Sequence, residues 1–330
     1  MITAHKLNRC DNGVDLTPLP PAVQGGKELL SESGLREIVG LNGPRPLAFG
    51  AQLLGAWIVI IAVIAFALHA QSIWVSILAI VVVATRHNLL GLLVHDQAHL
   101  LGSRGKYGDL LVNLFAAYPL LVLSVEGYAQ VHLAHHRAYF SHEDPDFLRK
   151  SGEEWSFPKS TGGLAWLFLM DVLALSTLKL IRGKNARGNA TFARRHPTPT
   201  WVRPTYFLVL VGVLTITGAW SVFLVYWLLP LLTITPVLVR WGAICEHKYN
   251  LEGASIEVST PLIVLKWWER LLMPNLNSGM HAYHHYFPGV SFSKLPAVHR
   301  IFCREGLVNQ ENVFYGYGAY LRFITRSHAR

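Results

Sequence analysis

Apolar positions in this chain gather into long unbroken runs, with neither the alternation of a half-buried strand nor the single stripe of a surface helix. Crossing a bilayer takes about 20 apolar residues as a helix, at roughly 1.5 Å each. Four runs read as such crossings: residues 47–68, 73–94, 206–219 and 222–239. The first two are joined by residues 69–72 and the second two by an equally tight, uncharged connection, which predicts two helical hairpins. Two further apolar stretches, 110–125 and 163–181, are shorter or interrupted, and read as re-entrant or interfacial helices. The first 46 residues are polar and mixed in charge, with a proline-containing stretch at 16–21 and no short apolar core of a signal peptide. They are expected to form a loosely ordered N-terminal tail (1–46), leaving 47–330 as one membrane domain. The fold class expected is an all-α integral membrane protein of four transmembrane helices.

Composition strengthens this reading. Of 330 residues, 52% are hydrophobic and only 15% charged, too apolar for an ordinary water-soluble domain. Cys10, Cys245 and Cys303 are odd in number and widely spaced, which argues against a disulfide framework or a zinc ribbon. Charge then orients the helices. Neither hairpin turn carries Lys or Arg, whereas the longer connections carry Arg104, Lys106, Arg149, Lys150, Arg182, Lys184, Arg187, Arg194 and Arg195. By the positive-inside rule the turns lie outside, and the termini and all longer connections are cytoplasmic. The surplus of +9 suits anionic headgroups. It does not suit nucleic acid, because the basic residues flank apolar helices and are not interleaved with a stacking aromatic platform.

Histidines change the picture from membrane protein to metalloprotein. They cluster as His95 and His99 in HDQAH, His132, His135 and His136 in HLAHH, and His281, His284 and His285 in HAYHH. On a helix, positions i, i+3 and i+4 share one face about 5–6 Å apart, so each cluster aims its imidazoles at one point. One structural zinc uses four ligands and a catalytic zinc usually three, so eight histidines imply two metals. Spacing does not choose among Zn, Cu, Fe and Ni. If residues 110–125 crossed the membrane, the first two clusters would lie on opposite faces, which is why that stretch reads as re-entrant.

His247 lies just past the last apolar run, where the clusters should gather, and Glu246 beside it repeats the pairing of Asp96 with His95. Such acids can orient an imidazole through its second nitrogen. His87, two turns before His95, and His142, in SHEDPD, are weaker candidates for the site. His5, His69, His196, His299 and His328 read as ordinary histidines. A zinc membrane protease is the first rival, since HDQAH resembles HExxH with Asp in place of Glu, but it leaves both HxxHH clusters unexplained. A soluble carboxylate-bridged diiron bundle needs paired Glu-x-x-His motifs that the chain lacks. A purely structural or transport protein would keep working without its metal.

Together RHNLLGLLVHDQAH, HLAHHRAYFSHEDPD, CEH and HAYHHYFPGVSFSKLP, spread over residues 86–296, resemble the membrane fatty acid desaturase family. The resemblance implies a diiron centre, two Fe ions in a histidine-rich cytoplasmic cap, held by His95, His99, His132, His135, His136, His281, His284 and His285 with His247 as a ninth ligand. It implies an O2-dependent oxidoreductase that inserts a C=C bond into a fatty-acyl or related aliphatic chain, with no catalytic residue separate from the metal centre. Asp96, Asp144, Asp146 and Glu246 would hold tautomers and balance charge, and Asn277 would contact a metal-bound water or start a helix. The three-residue gap of HDQAH looks like the acyl-lipid type, and His281 departs from the front-end subgroup. No HPGG haem motif of a fused cytochrome b5 domain is present, so electrons are expected from a separate donor such as a ferredoxin or cytochrome b5. The same scaffold resembles diiron hydroxylases, ketolases and monooxygenases, and desaturases of small amphiphilic metabolites.

Overall fold

A computed structural model describes residues 21–176 and 192–325. Arg182, Lys184, Arg187, His5, His328, Cys10 and residues 177–181 of the sixth apolar stretch lie outside the described residues. The chain is mostly helical, with one two-residue parallel strand pair among the described residues, Ile263–Val264 against Phe314–Tyr315.

The expectation of a loose N-terminal tail does not hold over residues 21–45. Helix α1 (Glu32–Val39) is capped by Ser31, whose Oγ accepts from the Gly34 N–H at 3.1 Å. Ala22, Val23 and Ile38 are buried against Val298, Ile301 and Phe302. Val23 also bridges Val308, and the Ser31 N–H and hydroxyl donate to Glu305 at 2.9 and 2.7 Å. A few apolar residues inside the polar stretch suffice to bury this segment on the cap.

Helices α2 (Pro46–Ala70) and α3 (Ile73–Ala98) form the first hairpin. Pro46 starts α2 where its missing N–H costs nothing, and Gln71 ends it in the left-handed region at φ 49°. At 25 and 26 residues they are about 37 and 39 Å long, ample for a hydrocarbon core of about 30 Å. Leu54, Ile58 and Ile61 of α2 point outward, uncovered by any other part of the described chain, as lipid-facing residues do.

Next comes a bent element. Helix α4 (Gly108–Val112) continues through further turns to Leu120, and α5 (Val125–Arg137) leaves it at 89°. Pro119 and the left-handed Leu121 (φ 67°) break the path, and the buried Asn113 staples the corner. Its Oδ1 accepts from the Val125 N–H at 2.8 Å, and its amide donates to Glu126 at 2.9 Å. A short helix α6 (Pro145–Lys150) is capped by Asp144, and α7 (Thr161–Val172) by Ser160.

The second expected hairpin differs from the first. Helix α8 (Val202–Thr217) has 16 residues, about 24 Å, short of the length that crosses unaided. Helix α9 runs as one kinked element over Trp220–Glu246, longer than the expected 222–239. Its π turn at Leu224–Leu228 precedes Pro230, whose absent N–H and bulky ring disturb the regular ladder. Among the described residues, three helices (α2, α3, α9) are long and apolar enough to cross a membrane, and a fourth is added if the bent element is one broken span. Beyond α9 lie α10 (Trp267–Leu272), α11 (His281–Tyr286), α12 (Leu295–Arg304) and α13 (Tyr317–Ile324). Buried Leu295, Val298, Ile301 and Phe302 line one face of α12 and close the cap core.

Candidate metal centre

All three boxes meet at one place, carried by four helix ends. His95 is in the last turn of α3 and His99 is its C-cap residue; His132, His135 and His136 lie in the last two turns of α5; His247 caps α9; His281, His284 and His285 make up half of α11. Close approach at the third box needs a glycine. A Cβ on Gly279 would lie 2.5 Å from the Ile263 carbonyl oxygen, so only glycine lets His281 follow two residues later.

The ring nitrogens fall into two groups. One nitrogen each from His95, His99, His132 and His284 lie within 4.8 Å of one another, as do those of His135, His247 and His285. His99 and His132 bring their Nε2 atoms to 2.9 Å, and His247 and His285 to 3.3 Å. His136 stands between the groups: its Nε2 is 3.0 Å from that of His284 and 3.1 Å from that of His132, and its ring stacks on His285 at 4.3 Å. The His281 ring is likewise 4.7 Å from His247, 4.8 Å from His285 and 5.2 Å from His284.

Hydrogen bonding alone does not satisfy this arrangement. A neutral imidazole has one N–H, yet the Nε2 atoms of His99, His132, His136 and His284 form an unbroken chain of contacts. The buried Nε2 atoms of His95 and His135, one from each group, have no hydrogen-bond partner. Burial of such groups is costly unless something accepts their lone pairs. A cation does so, and at metal–nitrogen distances of about 2.0–2.1 Å two ligands at right angles stand about 3 Å apart, matching the separations seen. Protonation does not compete. Burial, with neighbouring imidazoles adding to it, pushes His281, His284 and His285 well below the usual histidine range; His247 is lowered by burial and by His135, and His99 is pushed to about 3 by burial, His95 and Arg194.

The acids named from sequence have different partners. The Asp144 carboxylate is fully buried, and its Oδ2 accepts from His135 Nδ1 at 2.7 Å and from the Phe140 N–H at 2.9 Å. Its Oδ1 accepts from the N–H groups of Asp146 and Phe147, so one residue caps α6 and orients a histidine. Asp146 does not reach a histidine. Burial opposes its charge, but Lys150 and Arg149 hold it well below the usual carboxylate range, and the Tyr249 hydroxyl donates to it at 3.1 Å. Asp96 accepts from the Ser291 hydroxyl and the Phe292 backbone, and Glu246 bonds Ser278. Asn277 sits before a 3-10 turn at φ 59° without capping it, and its amide donates to the Phe292 carbonyl at 3.0 Å.

His87 and His142 stand apart from the nine. His87 is buried with Nδ1 3.2 Å from the Thr235 hydroxyl and its ring edge-on to Trp227, while His142 is exposed. Sequence reasoning did not find Tyr139 and Thr260, whose hydroxyls each lie 3.3 Å from His247 Nδ1. Neither carries a motif, since 108 and 13 residues separate them from that histidine. A cavity of about 20 Å3, room for a water-sized group, adjoins His95, His281 and His284 and is walled by Leu92, Leu276, Phe292 and Leu295 with Asp96, Asn275 and Ser278.

No curated protein matches the chain by sequence. The family model described as fatty acid desaturase matches residues 71–317, which covers α3 through the start of α13 and every histidine of the two groups. The chain belongs to the fatty acid desaturase family.

Proposed function

We propose that this protein is a membrane-bound diiron desaturase acting on a fatty-acyl or related aliphatic chain. The observation that supports it most is the convergence of nine buried or half-buried histidines into two linked groups. On this reading His95, His99, His132 and His284 hold one iron and His135, His247 and His285 the other, with His136 and His281 completing the two sets. Bound there, the pair of irons would supply activation of O2: two C–H bonds, O2, two electrons and two protons give one C=C bond and two waters. The electrons come from a separate donor protein.

The chain's own residues prepare this chemistry. Burial keeps the imidazoles of His99, His247, His281, His284 and His285 neutral, so that each offers a lone pair. Asp144 holds the proton of His135 on Nδ1 and leaves Nε2 free. Tyr139 and Thr260 do the same for His247. Leu92, Leu276, Phe292 and Leu295 form an apolar wall beside His95 and His284 and leave there only the room of a water-sized group, which limits the access of water to the cluster.

The proposed topology places the turn between α2 and α3, residues 71–72, on one face of the membrane and the histidine cap on the cytoplasmic face with Arg104, Lys106, Arg149, Lys150 and Arg195. The bent α4–α5 element is then re-entrant, since His99 before it and His132 after it touch. Residues 47–330 form the catalytic unit, with 21–45 packed on it. Metal analysis and product profiling test the function. Iron at two per chain and a product lighter by two hydrogens are expected. One zinc and no iron overturns the diiron reading, and a product heavier by one oxygen overturns desaturation in favour of hydroxylation.

A further inference from the structure

Residues 192–198 cross the ends of both helices that carry the first two boxes, and polar contacts tie them down at three points. Phe192 exchanges two hydrogen bonds with the Gln130 side chain, its N–H donating to Oε1 and its carbonyl accepting from Nε2, both at 2.8 Å. Gln130 lies two residues before His132 on α5. Midway, Arg194 Nη1 donates to the Ala98 carbonyl at 2.7 Å and Nη2 to the Gln97 carbonyl at 3.0 Å, the last carbonyls of α3, immediately before His99. The same guanidinium donates to both Asp109 oxygens, from Nε at 2.7 Å and from Nη2 at 2.5 Å. Gln97 Nε2 adds bonds to Asp109 Oδ1 at 2.7 Å and to the Ser103 carbonyl at 2.9 Å. At the far end the Thr198 N–H donates to Glu126 in the first turn of α5 at 2.8 Å, and Asn113 donates to the Thr198 hydroxyl at 2.6 Å.

Helix ends leave their last carbonyls unsatisfied, and a cation there also meets the negative end of the helix dipole. Arg194 does both, with its side chain only 6% exposed. A buried ion pair adds little net stability, because desolvation offsets its attraction, but the fork geometry of a guanidinium fixes direction. What it fixes is the exit of the chain from α3, where His99 has φ −86° and Leu100 turns into the left-handed region at φ 60°. A cleft of about 420 Å3 lined by Ala98, His99, Leu133, Phe192 and Arg194 lies beside the segment, so polar contacts from Arg194 and Phe192 border open space next to His99.

We propose that residues 192–198 are a positioning strap, and that Arg194 sets His99 against His132 within the four-histidine group. This rests on the reading that the two histidine groups bind metal. The test is a titration of the full-length protein in detergent with ferrous ion under argon, counting iron per chain after gel filtration, for wild type, Arg194→Lys, Arg194→Gln and Gln130→Leu.

The expected result is that each variant weakens one of two ions about 10–100-fold and leaves the other unchanged. At a ferrous concentration that just saturates the wild type, the count then falls from two to one. Arg194→Lys keeps the charge and still loses the ion, because an ammonium cannot bond two carbonyls and two carboxylate oxygens in one plane. Gln130→Leu cuts only the Phe192 end and carries the test if the Arg194 variants do not fold. Wild-type affinity for both ions in Arg194→Lys and Gln130→Leu overturns the strap, as does joint loss of both ions, which marks a merely structural role. A wild type that binds no iron overturns the metal reading itself.

Discussion

At the residue scale, Asp144 shows how one side chain serves fold and site together. Its Oδ1 caps α6, while its Oδ2 takes the proton of His135 Nδ1 and turns the unpartnered Nε2 toward the cluster. Asp144→Asn keeps the cap but offers an amide that can present a donor to Nδ1, so iron affinity is expected to fall about 10–100-fold with little change in thermal stability. Iron titration alongside thermal unfolding separates the two effects. Removing a ligand nitrogen acts more directly: His135→Ala or His284→Ala is expected to abolish activity together with one iron, read by metal analysis of the purified variant. Gly279→Ala acts through backbone, because its Cβ would meet the Ile263 carbonyl at 2.5 Å. Relief requires the His281 turn or the short strand to shift, at a cost of about 1–3 kcal/mol, visible as a lower melting temperature and weaker iron binding.

At the element scale, α10 is built inside out. Its acidic residue Glu269 is 5% exposed and accepts from the N–H groups of Lys266 and Tyr317, both at 2.9 Å. Trp267, Leu271 and Leu272 are each more than 60% exposed. The Leu271 carbonyl accepts from Arg86 of α3 at 3.3 Å, which places this helix against one long and apolar enough to cross a membrane, about 20 Å along from Ile73. Such a face suits the membrane interface, where Trp rings sit at headgroup level. A spin label at Leu271→Cys in liposomes is expected to be reached by O2 far more readily than by a water-soluble nickel chelate. The opposite ranking would put α10 in water. The kinked α9 and the bent α4–α5 element show a second use of irregular helix: each breaks, and its end carries histidines to the common point, His247 from α9 and the second box from α5.

At the scale of the whole molecule, the histidine cluster couples stability to pH through imidazoles that the fold holds uncharged. His99, His247, His281, His284 and His285 all have pKa values lowered from 6.5 in the folded chain. Below pH 6.5 the unfolded chain takes up protons that the folded chain refuses, so metal-free stability is fully present above that pH and is lost as pH falls, by up to about 1.4 kcal/mol per pH unit for each group. Thermal unfolding of chelator-treated protein between pH 8 and 5 checks this, with a flat profile as the contrary result. Much of this protein was legible in one dimension, because hydrophobic length and histidine spacing are local properties: the first hairpin and the residues of the three boxes can both be read from neighbours within a few turns. The packed N-terminal segment, the short α8, the partners of Asp96, Asp146, Glu246 and Asn277, and the separation of His87 from the cluster could not. Each depends on contacts between residues tens to hundreds of positions apart, such as Ser31 with Glu305 or Asn277 with Phe292. The sequence by itself determined which side chains can bind metal and how each box faces its own helix. Only the tertiary structure decided how the eight box histidines and His247 divide into groups of four and three with His136 and His281 beside both, because that division depends on the angles at which four helix ends meet.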